Sequence, residues 1–236
     1  MVFEATLAGL HDEPPPGAGG AGLGSWPVYA QLSDGEVVGA DLVVSAAGVE
    51  PNSEWLGGAL DLAEDGGVLV DAELLSSAPH VHAAGDVCTL PHARERPQWF
   101  QMRLWTQGRV MGMYAAHCMC GVADELALGF NFELFTHVTK FLGLKVVLLG
   151  LYNGQHLEEE AEEDVVTYVR STGGGEGRAA TFVRVLLARG RMQGAVLIGE
   201  TGLEETFENL ILNGIDLSVY GPELLDPEID LEDYFD

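Results

Sequence analysis

The segment Val81–Leu90 constrains the fold of this chain most strongly, because it joins a short apolar run to Ala84-Gly85-Asp86. Such a run predicts a buried β-strand that ends at Gly85. A glycine there lets the backbone pass close to a ligand, and the carboxylate of Asp86 can accept hydrogen bonds from hydroxyl groups. A Gly-Asp pair after a strand is also typical of an ordinary turn, so neighbouring segments must decide between a binding site and a turn.

The chain of 236 residues is long enough for one large or two modest domains with a real core. No uncharged apolar run approaches the roughly 18 residues that a membrane-spanning helix needs. Three cysteines, Cys88, Cys118 and Cys120, are too few for a disulfide framework and suit a reducing, intracellular compartment. The Cys118-x-Cys120 pair lacks a second ligand pair at metal-site spacing, so we expect no metal site.

The acidic residues outnumber the basic ones by 37 to 11, which gives a formal net charge of −26. Because proteins bind phosphate backbones through clustered Lys and Arg, we expect no direct contact with nucleic acid. The acidic residues concentrate at 156–164 and 226–236. The second block interleaves carboxylates with aliphatic and aromatic residues, so it forms either solvated surface or a docking tail for a basic partner.

The N-terminal quarter divides into two parts of different composition. Residues 1–25 are predicted to be a disordered lead-in, because 11–25 are rich in Pro, Gly and Ala. From Trp26 onward, strand-like alternation continues to Leu32, an Asp-Gly hairpin turn follows at 33–36, and a strand is predicted at 37–47. Residues 41–47 are apolar enough to be covered on both faces, so the meander is expected to end in a buried strand.

The order of these motifs resembles the pyridine nucleotide-disulphide oxidoreductases, flavoproteins with two dinucleotide-binding domains. In that family an apolar strand ends in Ala-Thr-Gly before Pro-Asn; here Ala46-Ala47-Gly48 precedes Pro51-Asn52, with Ala47 where Thr is common. A later family strand runs into Ala-x-Gly-Asp, which here is Ala83-Ala84-Gly85-Asp86. The resemblance implies an FAD site in which Asp86 binds the ribityl and pyrophosphate region, together with Ala84, Gly85 and Gly48.

A helix is predicted from Gln101 to Cys120, because Met102, Trp105 and Arg109 fall at helical spacing. The resemblance implies that the start of this helix faces the flavin pyrimidine, which makes Gln101 and Met102 further candidates for cofactor binding. A helix start carries roughly half a positive charge and free N–H groups, which stabilise negative charge on a reduced flavin. A plain core helix with a Met and Trp stripe is the alternative.

The C-terminal half alternates strands and one helix. Strands are predicted at 146–152, 165–170, 181–187 and 192–198, and a helix at 203–212. This part resembles the α/β interface domain of the family, which often builds dimers, so a homo-oligomer is implied. The predicted domains are the lead-in, the C-terminal part of the FAD/NAD(P)-binding domain, the interface domain and an acidic tail, at 1–25, 26–125, 126–223 and 224–236.

The fold class implied is α/β: a partial two-dinucleotide-domain flavoprotein with a β-meander and a C-terminal interface domain. No Gly-x-Gly-x-x-Gly fingerprint is present, since the glycine-rich segment at 17–24 follows no strand and opens no helix. The chain therefore resembles the C-terminal half of a longer flavoprotein, and we expect weak or absent FAD binding by it alone. The redox cysteine pair of the family is absent, and His137 has no family-type Glu after it, so no catalytic residue is predicted.

Two functions follow from the resemblance. The first is an FAD-dependent oxidoreductase that passes hydride from NAD(P)H through FAD to oxygen, a quinone-like acceptor or a disulphide. The second is a non-catalytic scaffold that docks partners through the interface domain and the acidic tail. The segments 132–141, 194–201 and 224–236 resemble animal members of the family, which implies association with a tRNA ligase complex in cytoplasm and nucleus.

Overall fold

The computed structural model describes residues 4–17, 24–91, 97–123, 132–158, 160–174 and 180–226. The chain divides into two compact units, Met1–Gly48 and Val49–Asp236. Within the described ranges no helix is both long and apolar enough to cross a membrane. Residues 227–236 of the tail predicted at 224–236, and most of the glycine-rich segment, lie outside those ranges.

The first unit is a three-stranded antiparallel meander of β1 (Leu7–His11), β2 (Val28–Leu32) and β3 (Val37–Ala40), in that order. The predicted Asp-Gly hairpin joins β2 to β3, and the Asp34 carboxylate accepts a hydrogen bond from the Glu36 amide over 2.9 Å. Strand β1 lies inside the segment predicted to be disordered. That prediction is wrong for these residues, because their backbone groups form hydrogen bonds with β2. Such long-range pairing cannot be predicted from composition.

The strand predicted at 37–47 ends at Ala40, and residues 41–47 form no strand. Leu42 and Val44 are 75% and 77% exposed, so the expectation of a buried strand is wrong for this structure. A strand that is apolar on both faces needs neighbours that cover it and accept its backbone hydrogen bonds. Among the described residues no strand pairs with this segment, and its side chains remain in solvent.

The first part of the second unit contains little regular structure. Strands β4 (Val68–Leu69) and β5 (Cys88–Thr89) form a short parallel pair, and helix α1 spans Trp105–Cys120. Single 3-10 turns lie at Glu54–Leu56 and Gly85–Val87. A separate core packs these elements together, and its buried members include Val68, Leu74, Cys88, Trp99 and Met111.

The strand predicted to run into Gly85 is not formed, and β5 follows the Gly-Asp pair instead of preceding it. The preceding segment bonds within a local loop: the Ser76 amide donates to the Val81 carbonyl over 2.8 Å, and the Ala83 amide donates to the Leu74 carbonyl over 3.0 Å. Because these backbone groups are satisfied locally, the apolar run at 81–84 does not join the β4–β5 pair.

The second part of this unit is a five-stranded antiparallel sheet in the order β6-β7-β10-β9-β8. Its strands are β6 (Thr136–Phe141), β7 (Leu144–Gly150), β8 (Val165–Thr172), β9 (Thr181–Ala188) and β10 (Arg191–Ile198). Helix α2 (Glu204–Asn213) packs on the sheet and buries Phe207, Leu210 and Ile211. The four predicted strands and the helix are confirmed to within two residues, whereas β6 was not assigned from the sequence.

Candidate functional site

The Gly-Asp turn lies against the first turns of α1. Gly85 has a φ of +79°, in the left-handed region that favours glycine. A Cβ atom added to Gly85 would lie 3.5 Å from the Cα of Gly108, so two glycines face each other across this contact. The amide of Gly108 donates to the carbonyl of Leu104 over 2.8 Å, within the first turn of the helix. The predicted turn and the helix start are therefore neighbours.

The side chain of Asp86 is exposed and makes no hydrogen bond or ion pair with another described residue. An unpaired carboxylate on a fixed turn offers only acceptor atoms. Ala84 precedes it in extended conformation, with a φ of −145°, and is partly buried. This geometry fits a ligand that presents hydroxyl or N–H donors to the turn.

Helix α1 begins at Trp105, four residues later than predicted, with Leu104 in the capping position. Residues 101–104 adopt no helical structure, because the side chain of Gln107 accepts from the Met102 amide over 2.8 Å and donates to the Phe100 carbonyl over 2.8 Å. No side chain caps the first helical turn. Its amide groups and the positive end of the helix dipole are thus available to a ligand acceptor.

Gln101 binds the loop that carries Asp86. Its side-chain NH₂ donates to the carbonyl of Cys88 over 2.9 Å and to that of Gly85 over 3.3 Å. Its side-chain oxygen accepts from the amide of Leu90 over 3.0 Å. The structure therefore places Gln101 beside the predicted site, with its amide already engaged by the protein.

Arg103 connects the same loop to a second turn. Its Nη2 atom lies 2.6 Å from Oδ2 of Asp65 and 3.0 Å from Oγ1 of Thr89, and its Nε donates to the carbonyl of Asp86 over 3.2 Å. Partial burial raises the pKa of Asp65, but hydrogen bonds from Arg103, Gly67 and Thr89 outweigh it and lower the pKa to about 2. The ion pair is therefore formed throughout the neutral pH range.

Close packing at Gly67 allows this arrangement. A Cβ atom at Gly67 would lie 2.0 Å from Oγ1 of Thr89 and 3.0 Å from its backbone nitrogen. The Thr89 hydroxyl instead donates to the Asp65 carboxylate, 2.7 Å from Oδ1, while the Gly67 amide donates to the same oxygen over 3.0 Å. Strand β5 and the turn at Asp65 thus meet through hydrogen bonds that a larger residue would block.

Two large apolar side chains border the helix start. Trp105, the first residue of α1, is 97% exposed, and Met102 is also exposed. The hydroxyl of Tyr152 lies 3.7 Å from the sulfur of Met102. These side chains give the free end of α1 an apolar border on which a planar ring could pack.

Three further residues singled out from the sequence are Gly48, Cys88 and His137. Gly48 is the last residue of the first unit, with a φ of +88° and open space where a Cβ atom would lie, whereas the other cofactor-binding candidates belong to the second unit. Burial raises the pKa of the Cys88 thiol to about 11 although Arg103 opposes this, so the thiol stays protonated near neutral pH. His137 lies on β6 opposite Leu148.

Sequence reasoning missed Asp65, Thr89 and Arg103. One signal was available: Arg103 is a cation just before an N-terminal helix turn, where the helix dipole disfavours positive charge. Such a placement indicates a compensating carboxylate nearby, but the partner, 38 residues earlier, is visible only in the fold.

The family model described as pyridine nucleotide-disulphide oxidoreductase matches residues 20–117. The human protein named pyridine nucleotide-disulfide oxidoreductase domain-containing protein 1 is 53% identical over 215 residues, which cover 89% of this chain and 41% of that protein. The chain thus spans about two fifths of the length of this curated relative.

Two solved structures share the fold. A chain of the covalent putidaredoxin reductase–putidaredoxin complex superposes with a TM-score of 0.63 at 18% identity, over 88% of this chain and 44% of that one. An NAD-dependent persulfide reductase from A. fulgidus superposes with a TM-score of 0.59 at 21% identity, over 87% of this chain and 38% of that one. These superpositions confirm the predicted α/β fold class.

Proposed function

Because the chain belongs to the pyridine nucleotide-disulphide oxidoreductase family, we propose that it forms the flavin-facing part of an FAD-dependent oxidoreductase that uses NAD(P)H. One observation carries the proposal: the unpaired carboxylate of Asp86 lies on a turn packed against the uncapped start of α1. A carboxylate and a helix start within one site suit a ligand that carries both donors and acceptors. One structural neighbour is named as an NAD-dependent persulfide reductase, which supports electron transfer from a nicotinamide cofactor.

The described residues fit a flavin in three respects. Asp86 would accept hydrogen bonds from ribityl hydroxyl groups, and Gly85 would let the backbone approach the chain of the ligand. The first-turn amides of α1 would donate to the pyrimidine carbonyl oxygens. Trp105 and Met102 would exclude water from one side of the ring system.

When bound, FAD would supply the two-electron chemistry, taking hydride from NAD(P)H and giving the electrons to an oxidised acceptor. The contribution of this chain would be orientation and electrostatics. The dipole of α1 would stabilise negative charge on the pyrimidine side of the flavin, and Asp86 would fix the ribityl chain.

The test is an equilibrium titration of the purified chain with FAD up to millimolar concentration, followed by flavin fluorescence. We expect weak binding by the unaltered chain. Asp86→Asn should weaken it about tenfold, the loss of one charge-assisted hydrogen bond at roughly 1.5 kcal/mol. Asp61→Asn, which changes an exposed aspartate outside the turn, is the matched control and should bind like the unaltered chain. Equal affinities for the two variants would refute the role of Asp86.

A second candidate function is docking of another protein, and the β6–β7 hairpin favours it. Phe141 and Leu142 are strongly exposed at its tip, and Val138 is exposed on β6, which is an edge strand. Exposed apolar residues on a sheet edge are typical of protein interfaces. We propose that this surface contacts either a second copy of the chain or a complex of the tRNA ligase type.

Sedimentation velocity would measure the oligomeric state of the chain and of a Phe141→Ser, Leu142→Ser variant. It tests whether the hairpin mediates self-association. A dimer that the variant abolishes supports self-association. A monomer in both cases leaves a tRNA ligase complex as the partner to test by capture on the immobilised chain, again with the variant as control. If the chain neither self-associates nor captures such a complex, the hairpin is ordinary surface.

A further inference from the structure

The ion pair between Asp65 and Arg103 joins three segments that are distant in sequence. Asp65 lies in the turn before β4, Thr89 lies in β5, and Arg103 lies in the segment that leads into α1. Arg103 contacts Asp65 at 2.6 Å, Thr89 at 3.0 Å and the carbonyl of Asp86 at 3.2 Å. One guanidinium group therefore ties the Gly-Asp turn to the residues immediately before the helix.

The backbone of Arg103 is strained. Its φ of +50° lies in the left-handed region, which costs a residue with a side chain on the order of 1–3 kcal/mol. Its charge also lies close to the positive end of α1, where a cation is disfavoured. Both costs persist only because surrounding contacts determine the conformation. The three polar contacts of the guanidinium oppose these costs, together with the contacts of Gln101 and Gln107 on either side.

The hydrogen bond to the Asp86 carbonyl has a particular consequence. It holds the peptide group that follows the Asp86 Cα, and so restricts the direction in which the Asp86 side chain leaves the turn. Gln101, two residues before Arg103, holds the carbonyls of Gly85 and Cys88 from the same segment. The turn and the helix start thus share a rigid connection made of side chains.

We infer that Arg103, held by Asp65, is a positioning residue that fixes the Asp86 carboxylate relative to the first turn of α1. This inference rests on the proposed function, because the two groups so positioned are those assigned to the flavin. The Nε donor of Arg103 is engaged by the Asp86 carbonyl and its Nη2 donors by Asp65 and Thr89, so we assign it an indirect role, through the turn, rather than a contact with the ligand.

A double-mutant cycle tests this, with Arg103→Gln, Asp65→Asn and the double variant. For each protein we would measure the dissociation constant for FAD and amide hydrogen exchange of residues 85–90. Arg103→Gln should weaken FAD binding about tenfold and Asp65→Asn about fivefold, and the double variant should be no weaker than Arg103→Gln, because coupled residues are not additive. Exchange at 85–90 should rise in all three.

The matched control is the ion pair between Lys145 on β7 and Glu204 on α2, whose closest atoms lie 2.7 Å apart. Lys145→Gln and Glu204→Gln remove a comparable bridge from the sheet and should change neither FAD affinity nor exchange at 85–90. Arg103→Lys keeps the charge but cannot reach Asp65 and the Asp86 carbonyl together, so it should bind FAD more weakly than the unaltered chain. Asp65→Asn, at a partly exposed position, keeps the test valid if Arg103→Gln fails to fold.

FAD affinity and amide hydrogen exchange together distinguish failure of the positioning role from failure of the proposed function. Unchanged FAD affinity in folded Arg103→Gln and Asp65→Asn would overturn the inference, as would additive losses in the double variant. If the unaltered chain binds no FAD, the proposed function fails, and the inference about the flavin fails with it. The exchange data then still decide whether the ion pair orders the turn.

Discussion

The five-stranded sheet and the site-bearing segment 49–104 each contribute to an apolar core, but different interactions fix their local geometry. In the sheet, strands of six to eight residues and α2 enclose a continuous apolar core. In the site-bearing segment, the two strands have two residues each, and side chains such as Gln101 and Arg103 bond to distant backbone groups. The difference indicates that the sheet supplies stability through burial, whereas the candidate site obtains its geometry from a few directional polar contacts.

The largest effect on stability is expected from a truncation in the core between the sheet and α2. Phe207 of α2 is completely buried, so Phe207→Ala should lower the free energy of unfolding by about 3–5 kcal/mol, measured by urea denaturation. Leu212→Ala, at a position on the same helix that is 42% exposed, should cost about 0.5 kcal/mol or less. Similar losses for both variants would show that burial on α2 does not determine stability.

A substitution at Gly67 tests the site-bearing segment. Gly67→Ala places a methyl group on the Thr89 hydroxyl and should cost about 1–3 kcal/mol of unfolding free energy through overpacking. Because Thr89 would have to move away from Asp65, FAD affinity should fall too. Gly112→Ala, in α1 with no atom near the added methyl group, should instead stabilise the chain by up to about 1 kcal/mol. A Gly67→Ala protein that is as stable as Gly112→Ala would contradict the packing described.

The smallest expected effect is a pH dependence from Asp65. Its pKa is lowered from 3.8 to about 2 in the fold, so the folded state binds fewer protons than the unfolded state in this range. The resulting stabilisation is fully present above about pH 4 and is lost as the pH falls towards 2. Because the carboxylate is 41% exposed, it should amount to at most about 1 kcal/mol.

Asp65→Asn supplies the control for this pH effect. The variant should remove the part of the acid sensitivity that arises from the ion pair, as measured by urea denaturation between pH 5 and 2. An identical pH profile for Asp65→Asn and the unaltered chain would mean that the carboxylate is not stabilised by Arg103.

The same contrast explains which features the sequence could predict. Strands β9 and β10 are visible because apolar residues recur through them and a glycine turn at 190 separates them, and β8 is visible because it is rich in Val, Thr and Tyr. Strand β6 is not visible, because its mostly exposed residues, Thr136–Phe141, show no apolar alternation. Burial leaves a pattern along the chain, whereas an exposed strand without alternation, such as β6, is defined by the neighbour with which it pairs.

The candidate site was only partly predictable. Asp86, Gly85, Ala84, Gln101 and Met102 were named from motifs, and the fold brings them near the start of α1, although whether they bind a flavin stays a prediction. The helix start was placed four residues early, since nothing in the sequence shows that Gln107 bonds backward to Met102 and Phe100. The contacts of Arg103 span up to 38 residues, and such pairs leave no periodic signal.

¹H–¹⁵N chemical-shift mapping, which detects weak binding, would locate FAD on the chain directly. We expect the largest shifts at the amides of Gly85, Asp86, Trp105 and Thr106, with small shifts in the five-stranded sheet. Shifts that are absent at millimolar FAD, or that concentrate in β6–β10, would contradict the assignment of the Gly-Asp turn and the start of α1 as the flavin site.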